Sequence, residues 1–545
     1  MKPLTDNDDS DVLAAAVARV APAQYARWVL GALLVAVTLI VYIPAMNGGF
    51  ILDDDLLLTA NPLIKSNSGW WQVWWTTQTP DYLPVMSDSF WLEWRLWGMN
   101  ASGYHVSNIV QHAISTVLLW LLLRRIGVPG AWLAALLFAV HPVNVRSVAW
   151  ISERKNTLSM VFYLLTLHAF VKGDDSKDKR WQIGAVSLFA LALLSKSSTV
   201  VLPAVLLILV WYRRRTITRA DLLAFLPFAV LALGACVTTI WFQNTKEIGP
   251  AHVVADPFIW RVASSGMAVW FYIWKLICPA NLAMIYPRWT IDTHNVLSFV
   301  PTLLVIVAAG VVFRVRKGVA GGAFAAVTYY LLTLLPVLGF VNMAFFKSSM
   351  VSDHLQYIPM IGMAALAGAG FDRLYRIPAH AACSGATVGA MVLVLAFAIT
   401  TWQQGTLYAS RETLAADTLR VNPTSHWAHG ELAMAAYARH DLAGAEREII
   451  KVLELDPTSI AAYNNLGSIY MQQARYADAV NVFVNGEKLA PDSFPIHMNL
   501  AMAYSRLGMT VEAIAEAQKA VTIAPGDERA TDLLTRLREN RTRNP

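Results

Sequence analysis

The chain has 545 residues, of which 56% are hydrophobic and only 15% are charged, against about 25% charged in an ordinary soluble protein. This composition predicts a multi-pass membrane protein and excludes a wholly soluble one. The net charge of +6 does not indicate nucleic-acid binding, because the basic residues cluster in short loops between apolar runs and no basic nucleic-acid-binding module accompanies them.

Apolar segments predict a helical bundle of about eleven membrane spans within 28–404, after a short cytoplasmic segment at 1–27. The predicted spans are 28–45, 104–123, 128–145, 156–171, 181–195, 198–212, 221–242, 296–313, 320–341, 355–371 and 384–402. Segment 260–277 is also apolar but contains Arg261 and Lys275. Counting it as a span would break the positive-inside pattern, so we expect an amphipathic or re-entrant helix there. The N-terminus is then cytoplasmic and the C-terminus external.

The external loop 46–103 carries FILDDDLLLTANP, with three consecutive carboxylates, followed by the tryptophan cluster WWQVWW. Clustered tryptophan prefers the membrane interface, so the acids are expected at the outer surface and not in the bilayer core. In an extended segment neighbouring side chains alternate in direction, so Asp54 should point away from Asp53 and Asp55. We predict Asp54 as a general base, Asp53 as the group that orients the acceptor or a cation, and Asp55 as dispensable.

Four more external segments are rich in polar and basic residues: HPVNVRSVAWISERKN, LLSKSS, ICPANLAMIYPRW and FFKSSMVSDHLQY. Basic residues are uncommon on the external side of a membrane protein. Binding of an anionic ligand would explain them, because guanidinium and ammonium groups bind phosphate. The residues predicted to bind a donor phosphate are Arg154, Lys155, Lys196 and Arg288. Further candidates for the site are His141, Glu153, Tyr286, Lys347, Asp353 and His354.

Acids and cations on one face favour group transfer from a lipid-linked phosphate. A carboxylate would take a proton from the acceptor hydroxyl, and basic residues would neutralise the departing lipid phosphate. No P-loop or GxGxxG motif is present, which disfavours a soluble nucleotide donor. Cys236, Cys278 and Cys383 lie far apart with no CxxC or Cys/His cluster, so no metal site is predicted. No cofactor is assigned, and the need for a divalent cation stays open.

The C-terminal region contains a repeat of 34 residues, which is typical of tetratricopeptide (TPR) repeats. Pro423, Pro457, Pro491 and Pro525 recur at this interval. We predict a half repeat or linker at 405–425, three repeats at 426–459, 460–493 and 494–527, and a capping helix and tail at 528–545. Such repeats stack into an α-solenoid whose concave face captures a peptide or a protein.

The stretches FILDDD…NP, GYHVSNIVQH, HPVNVRSVAWISERKNTLS, LLSKSS…LP, YPRW and SDHLQY, followed by the repeats, resemble bacterial relatives of the transmembrane and TPR-containing protein O-mannosyltransferases. The resemblance implies a GT-C-type glycosyltransferase with Asp53 and Asp54 as its acidic pair. It also implies a polyprenyl-phosphate sugar as donor and external repeats that present or recognise the acceptor. The chain departs from the family at Arg146 and Ser197, where glutamate is frequent, which puts the donor or the activity in question.

We therefore expect an all-α protein of the bacterial inner membrane, with a GT-C-like bundle and a periplasmic TPR solenoid. It would transfer a sugar from polyprenyl phosphate to a periplasmic acceptor such as protein Ser or Thr. The alternative is a non-catalytic membrane scaffold whose repeats assemble envelope or glycan-export machinery. A transporter is disfavoured, because its acids would lie within the spans, which here are nearly free of them.

Overall fold

A computed structural model describes residues 8–247, 256–318, 320–341, 343–378 and 380–543. Every regular element among these residues is a helix, which confirms the all-α prediction. The chain divides into two compact units. The bundle unit comprises Met1–Leu282 and Arg288–Ser410, and the repeat unit comprises Ala283–Pro287 and Arg411–Pro545.

The α-helices of the bundle unit vary from four to 34 residues in length. In chain order they are α1 (Asp8–Val41), α2 (Pro62–Lys65), α3 (Gly69–Gln72), α4 (Pro84–Trp97), α5 (Ala101–Arg125), α6 (Ala131–Val140), α7 (Val145–Ala149), α8 (Arg154–Ser176), α9 (Lys179–Ser195), α10 (Leu202–Arg214), α11 (Arg219–Ala224), α12 (Leu226–Phe242), α13 (Phe258–Ile277), α14 (Val300–Arg314), α15 (Ala320–Leu334), α16 (Met360–Tyr375) and α17 (His380–Thr406). Residues 46–103, predicted to be an external loop, thus contain α2 to α4.

Six helical segments of the described residues are long and apolar enough to cross a membrane, so the count of eleven spans is not confirmed. They are Ala101–Arg125, Ser197–Arg214, Leu226–Thr245, Val296–Arg314, Ala320–Val337 and Cys383–Ala409. Helices α6 and α7 make a seventh if counted as one span bent by 53°. Helices α9 and α16 have 17 and 16 residues, fewer than the roughly 20 that a span usually needs. Helix α13 is continuous over 20 residues and is not among the six.

Helix α8 connects two polar regions at opposite ends of the bundle unit. Its 23 residues give it a length of about 34 Å. Near its C-terminal end, Asp175 accepts a hydrogen bond from Arg125 at 3.0 Å, and Asp174 accepts one from Arg213 at 2.6 Å. Loops that the sequence places in the cytoplasm therefore meet at this end, which we call the basic end.

The repeat unit consists of helix pairs with a core of small and aromatic residues. Its helices are α18 (Arg411–Val421), α19 (His426–Ala438), α20 (Leu442–Leu455), α21 (Ile460–Gln472), α22 (Tyr476–Leu489), α23 (Phe494–Arg506), α24 (Thr510–Ile523) and α25 (Glu528–Arg543). Ala479 and Phe483 on α22 are fully buried. A Cβ atom on Gly467 of α21 would overlap the ring of Phe483, so only glycine allows this close approach.

We expect Gly467→Ala to destabilise the repeat unit by about 1–3 kcal/mol, because the added methyl group overpacks the core against Phe483. Gly430 on α19 is the matched control, since a Cβ atom there would be 4.0 Å from its nearest neighbour, Val452. Gly430→Ala should be neutral or slightly stabilising. Limited proteolysis of the full-length protein over a urea series would measure both changes. Equal resistance in the two variants would contradict this packing.

Candidate functional site

Arg154 is the largest fully buried side chain among the described residues. Its Nη1 donates to Oε1 of Glu93 on α4 at 2.7 Å, and its Nη2 donates to the carbonyl of Tyr104 on α5 at 3.1 Å. Its Nε donates to the side-chain oxygen of Asn108. The guanidinium of Arg154 thus joins α8 to α4 and to α5, and its predicted binding of the donor phosphate stays a prediction.

Asp54 is fully buried and ties the acidic segment to the start of α8. Its Oδ1 accepts hydrogen bonds from the backbone N–H and the hydroxyl of Ser152, at 2.8 and 2.5 Å. Its Oδ2 accepts from the backbone N–H of Ile51 at 2.8 Å. Burial raises the pKa of Asp54 from its ordinary value of 3.8 to about 7, although these hydrogen bonds act in the opposite direction.

Asp53 and Asp55 are exposed, so Asp54 does face away from its two neighbours. The backbone conformation that produces this arrangement is not the extended segment that the sequence predicted. Leu52 adopts a left-handed conformation with φ of 49°, and Asp55–Thr59 form a helical turn. Asp55 accepts a hydrogen bond from Thr59 at 2.7 Å within that turn. Of the two exposed acids, Asp53 is the one whose charge acts on Lys155.

Glu153 lies in a fully buried position among basic groups from three segments of the chain. Its carboxylate oxygens are 3.2 Å from Nζ of Lys155, 3.8 Å from Nζ of Lys196 and 3.8 Å from Nε2 of His354. Burial opposes the charged form, but His354, Lys155 and Lys196 outweigh it and hold the pKa of Glu153 well below its usual range. Glu153 is therefore an anion that fixes the two lysines. We call Glu153, Lys155, Lys196 and His354 the central cluster.

The basic groups of the central cluster differ in how firmly they hold their protons. Burial would lower the pKa of Lys155, but Glu153, Asp53 and Asp81 outweigh it and raise the pKa. Burial lowers the pKa of Lys196 to about 8, although Glu153 acts in the opposite direction. Burial also lowers the pKa of His354 well below its ordinary value. Of the two lysines, Lys155 therefore holds its proton more firmly than Lys196.

Asp81 is a member of this site that the sequence analysis missed. It lies in the external loop between the tryptophan cluster and α4, and it is half-buried. Its negative charge raises the pKa of both Lys155 and Lys196, and Asp53 acts in the same direction on Lys155. Gln243 donates a hydrogen bond to it at 3.0 Å. The signal available in the sequence was an acid in the stretch TTQTPDYLP, directly after the tryptophan cluster.

Several other candidates are not part of the central cluster. Arg288 donates to Asp256 at 2.7 Å and lies 5.8 Å from the ring of Trp260. His141 hydrogen-bonds to the carbonyl of Leu276 at 3.0 Å. Asp353 is buried beside His354 in the short helix Asp353–Gln356, Tyr286 belongs to the repeat unit, and the side chain of Lys347 lies outside the described residues.

Arg146, one of the two departures from the family pattern, is buried beside the central cluster. Its guanidinium carbon lies 5.6 Å from the ring of Trp150 and 5.7 Å from that of Phe345. Its charge helps to lower the pKa of Glu153. A glutamate at this position would place a second carboxylate near Glu153, so arginine changes the charge balance of the pocket. Ser197, the other departure, is half-buried next to Lys196.

The motifs that carried the family resemblance come together in the bundle unit. His112 of GYHVSNIVQH hydrogen-bonds through Nδ1 to the hydroxyl of Tyr357 in SDHLQY at 2.7 Å. Asn156, which follows the ERK sequence, hydrogen-bonds to both Glu153 and Lys196. Segments more than 200 residues apart in sequence therefore build one polar region.

Two parts of the chain match known family models. Residues 83–242 match the family model described as dolichyl-phosphate-mannose-protein mannosyltransferase, and residues 470–537 match the model described as tetratricopeptide repeat. The Arabidopsis OM64 TPR domain is a similar solved structure, at a TM-score of 0.21 and 18% identity, covering 21% of this chain and 94% of that one.

Similar curated proteins include protein O-mannosyl-transferase F38B6.6 of Caenorhabditis elegans, which is 23% identical over 78% of this chain and 62% of its own length. Tmtc3 of Drosophila melanogaster is 23% identical over 76% of this chain and 52% of its own length, and TMTC3 of Homo sapiens is 21% identical over 85% and 55%. The chain thus spans about half to three fifths of the length of these relatives. The predicted resemblance to the TPR-containing O-mannosyltransferases is confirmed.

The burial of Asp54 predicts a pH-dependent stability. Because its pKa is raised from 3.8 to about 7 in the folded protein, its contribution is fully present below 3.8 and is lost as the pH rises through about 7. We expect the free energy of unfolding to fall by on the order of 2 kcal/mol between pH 5 and 7.5 from this group. Thermal unfolding of the full-length protein in detergent should show this slope, and Asp54→Asn should remove it. Asp55→Asn is the control, and an unchanged slope in Asp54→Asn would contradict the assignment.

Arg154 and Arg288 should respond differently to truncation. Arg154→Ala leaves Glu93 with a buried, uncompensated charge and should cost about 3–5 kcal/mol of stability. The side chain of Arg288 is 37% exposed, so loss of its ion pair should cost less than about 1 kcal/mol. Chemical denaturation of the two alanine variants gives the comparison. A stable, folded Arg154→Ala protein with reduced donor binding would instead support the original phosphate-binding prediction.

Proposed function

We propose that the chain is an integral-membrane glycosyltransferase that transfers a sugar from a polyprenyl-phosphate donor to a hydroxyl acceptor. The observation that supports this most directly is that the negative charges of Asp53 and Asp81 both act on Lys155, which lies with Lys196 beside Glu153. An exposed carboxylate next to ammonium groups offers the base and the phosphate-neutralising charge that such a transfer needs. The match of 83–242 to a mannosyltransferase family supports the same chemistry and favours mannose as the sugar.

In the proposed reaction, the acceptor hydroxyl oxygen attacks the anomeric carbon of the donor. The bond from that carbon to the phosphate oxygen breaks, and the lipid phosphate leaves with the electron pair. A carboxylate takes the proton of the acceptor hydroxyl, so charge and atoms balance. Metal dependence stays open, and Asp53 and Asp81 are the carboxylates here whose oxygens suit a hard cation.

The geometry favours Asp53 over Asp54 as the base. A base must reach the hydroxyl of the acceptor, and Asp53 is exposed whereas both oxygens of Asp54 already accept hydrogen bonds from the protein. We propose that Asp54 positions the loop by holding Ser152, so that Asp53 is presented to the pocket. The earlier assignment of Asp54 as the base stays a prediction that the activity test below decides.

Lys155 and Lys196 are the proposed ligands of the departing phosphate. Both ammonium groups are held near Glu153, and neither side chain is fully buried, with 20% and 13% exposed. Lys196, whose pKa of about 8 lies closest to neutrality, can also deliver a proton to the phosphate as it leaves. Arg154 and Arg288 are less suited, because each guanidinium is already paired with a carboxylate of the protein.

We further propose a bacterial inner-membrane location, with the N-terminus in the cytoplasm and the pocket and TPR repeats in the periplasm. Support comes from the basic loops, which meet at the end of α8 opposite the central cluster and would face the cytoplasm by the positive-inside rule. Eleven spans remain the proposed topology.

The repeats would recognise a protein acceptor through Ser or Thr, or a protein partner. A non-catalytic scaffold is the alternative, and it rests on the repeats alone.

The deciding experiment measures turnover of purified full-length enzyme with a polyprenyl-phosphate sugar and a peptide acceptor. Asp53→Asn should lower the rate by about 10²–10⁴-fold, the usual loss of a general base, without changing thermal stability. Asp55→Asn is the matched control and should retain nearly full activity, because Asp55 is exposed and hydrogen-bonds to Thr59 within its own helical turn.

Two other outcomes are informative. Full activity in Asp53→Asn with none in a folded Asp54→Asn protein would restore Asp54 as the base. Activity unchanged in both variants, or no transfer by the wild type with any lipid-linked sugar, would favour the scaffold.

A further inference from the structure

A cavity of about 1010 Å³ lies between α5, α8, α10, α15 and α16, near the basic end of the bundle unit. This volume is at the upper limit of the 300–1,000 Å³ that is usual for small-molecule sites. Its location differs from that of the central cluster, because α8 starts at that cluster and contributes only Leu167, two turns before the basic end, to the cavity.

The walls of the cavity are apolar and consist largely of small residues. Helix α15 contributes Gly322 and Ala326, and helix α16 contributes Ala365 and Ala369. Because the side chains at these positions are small, they leave a space between the helices that hydrocarbon can fill. In a membrane such an apolar space suits a lipid chain.

The polar residues of the cavity are concentrated near the ends of α10 and α16, and most are cationic. Arg215 follows the last residue of α10, and Arg373 and Arg376 belong to α16 and the residue after it. Arg376 is paired with Asp372 at 2.6 Å. Among the described residues, neither Arg215 nor Arg373 has an ion pair within 4.0 Å.

Arg215 is held in place by its surroundings and not by an acid. Its guanidinium carbon lies 4.8 Å from the ring of Trp211 and 5.6 Å from that of Tyr212. The guanidinium also lies directly against Gly321, where any Cβ atom would overlap it. A pre-oriented, unpaired guanidinium next to an apolar cavity has the arrangement that binds a phosphate bearing a hydrocarbon chain.

We propose that this cavity is a binding site for an anionic phospholipid, whose acyl chain fills the apolar space and whose phosphodiester contacts Arg215. Basic pockets between transmembrane helices on the cytoplasmic side bind anionic headgroups in this way. The proposal is independent of the glycosyltransferase function, since it involves neither Asp53 nor the central cluster. Its role is structural: the lipid bridges α10 to α15 and α16 where side chains leave a gap.

The test uses full-length protein, delipidated in detergent and then mixed with phosphatidylglycerol or with phosphatidylcholine of the same acyl chains. Native mass spectrometry counts retained lipid, and thermal unfolding measures stabilisation. We expect wild type to retain phosphatidylglycerol preferentially, and Arg215→Ala to weaken that retention by at least about fivefold, the effect of one basic residue near an anionic headgroup. Arg219→Ala is the control, because it removes the same charge from the same loop without lining the cavity.

A second pair of variants tests the cavity itself. A Cβ atom on Gly322 has no neighbour closer than 3.9 Å, so Gly322→Leu should fold and fill the space, and it should reduce retention of both lipids. Gly310→Leu on α14 is the control, since its position is open and lies away from the cavity. Equal retention of the two lipids by wild type, or unchanged retention in Arg215→Ala, would overturn the proposal. Arg215-dependent retention of a polyprenyl phosphate in preference to phosphatidylglycerol would overturn the choice of occupant.

Discussion

The polar architecture of the bundle unit depends on one buried guanidinium. Removing a cation from water costs several kcal/mol, so Arg154 is stable only because Glu93, Asn108 and the Tyr104 carbonyl replace its hydration. These partners lie on α4 and α5, and Arg154 begins α8. The pair therefore fixes the external loop relative to the two helices, and it sets the position of every residue from Ser152 to Asn156. We expect its loss to loosen the segment that supplies the Asp54–Ser152 contact as well as Glu153 and Lys155 of the central cluster.

Within that frame, the local charges are arranged so that adjacent residues have different tasks. Arg154 points into a closed network while Lys155 reaches the pocket with a fifth of its side chain exposed. Asp54 is buried and hydrogen-bonded, while Asp53 is exposed. In both cases one member of a like-charged pair supports the fold and the other is available for chemistry. Glu153 supplies the countercharge that lets two ammonium groups lie close together in a region with little water.

The sequence predicted the class of the fold, the repeats and the convergence of distant motifs, because apolar runs, a 34-residue period and family motifs are local signals. It could not assign partners across the fold. Glu93 is 61 residues from Arg154, and nothing in the sequence showed that this acid, and not a ligand, would neutralise that cation. The same limit hid Asp81, whose position opposite Lys155 exists only in the folded chain. The number of spans was uncertain for a different reason, since helices such as α9 and α16 are too short to be identified as spans by length alone.

Helix α8 carries its charges in the order that an isolated helix disfavours. Arg154 and Lys155 lie at its N-terminal end, where the helix dipole is positive, and Asp174 and Asp175 lie near its C-terminal end, where it is negative. Each such charge costs roughly 0.3–1 kcal/mol until a partner offsets it. The partners of these charges are synthesised at different times. Glu93 and Arg125 precede α8 in the chain, whereas Arg213 and Arg214 follow it. A nascent chain that has not yet reached α10 therefore has the two acids of α8 only partly neutralised, and their full compensation comes with Arg213 and Arg214.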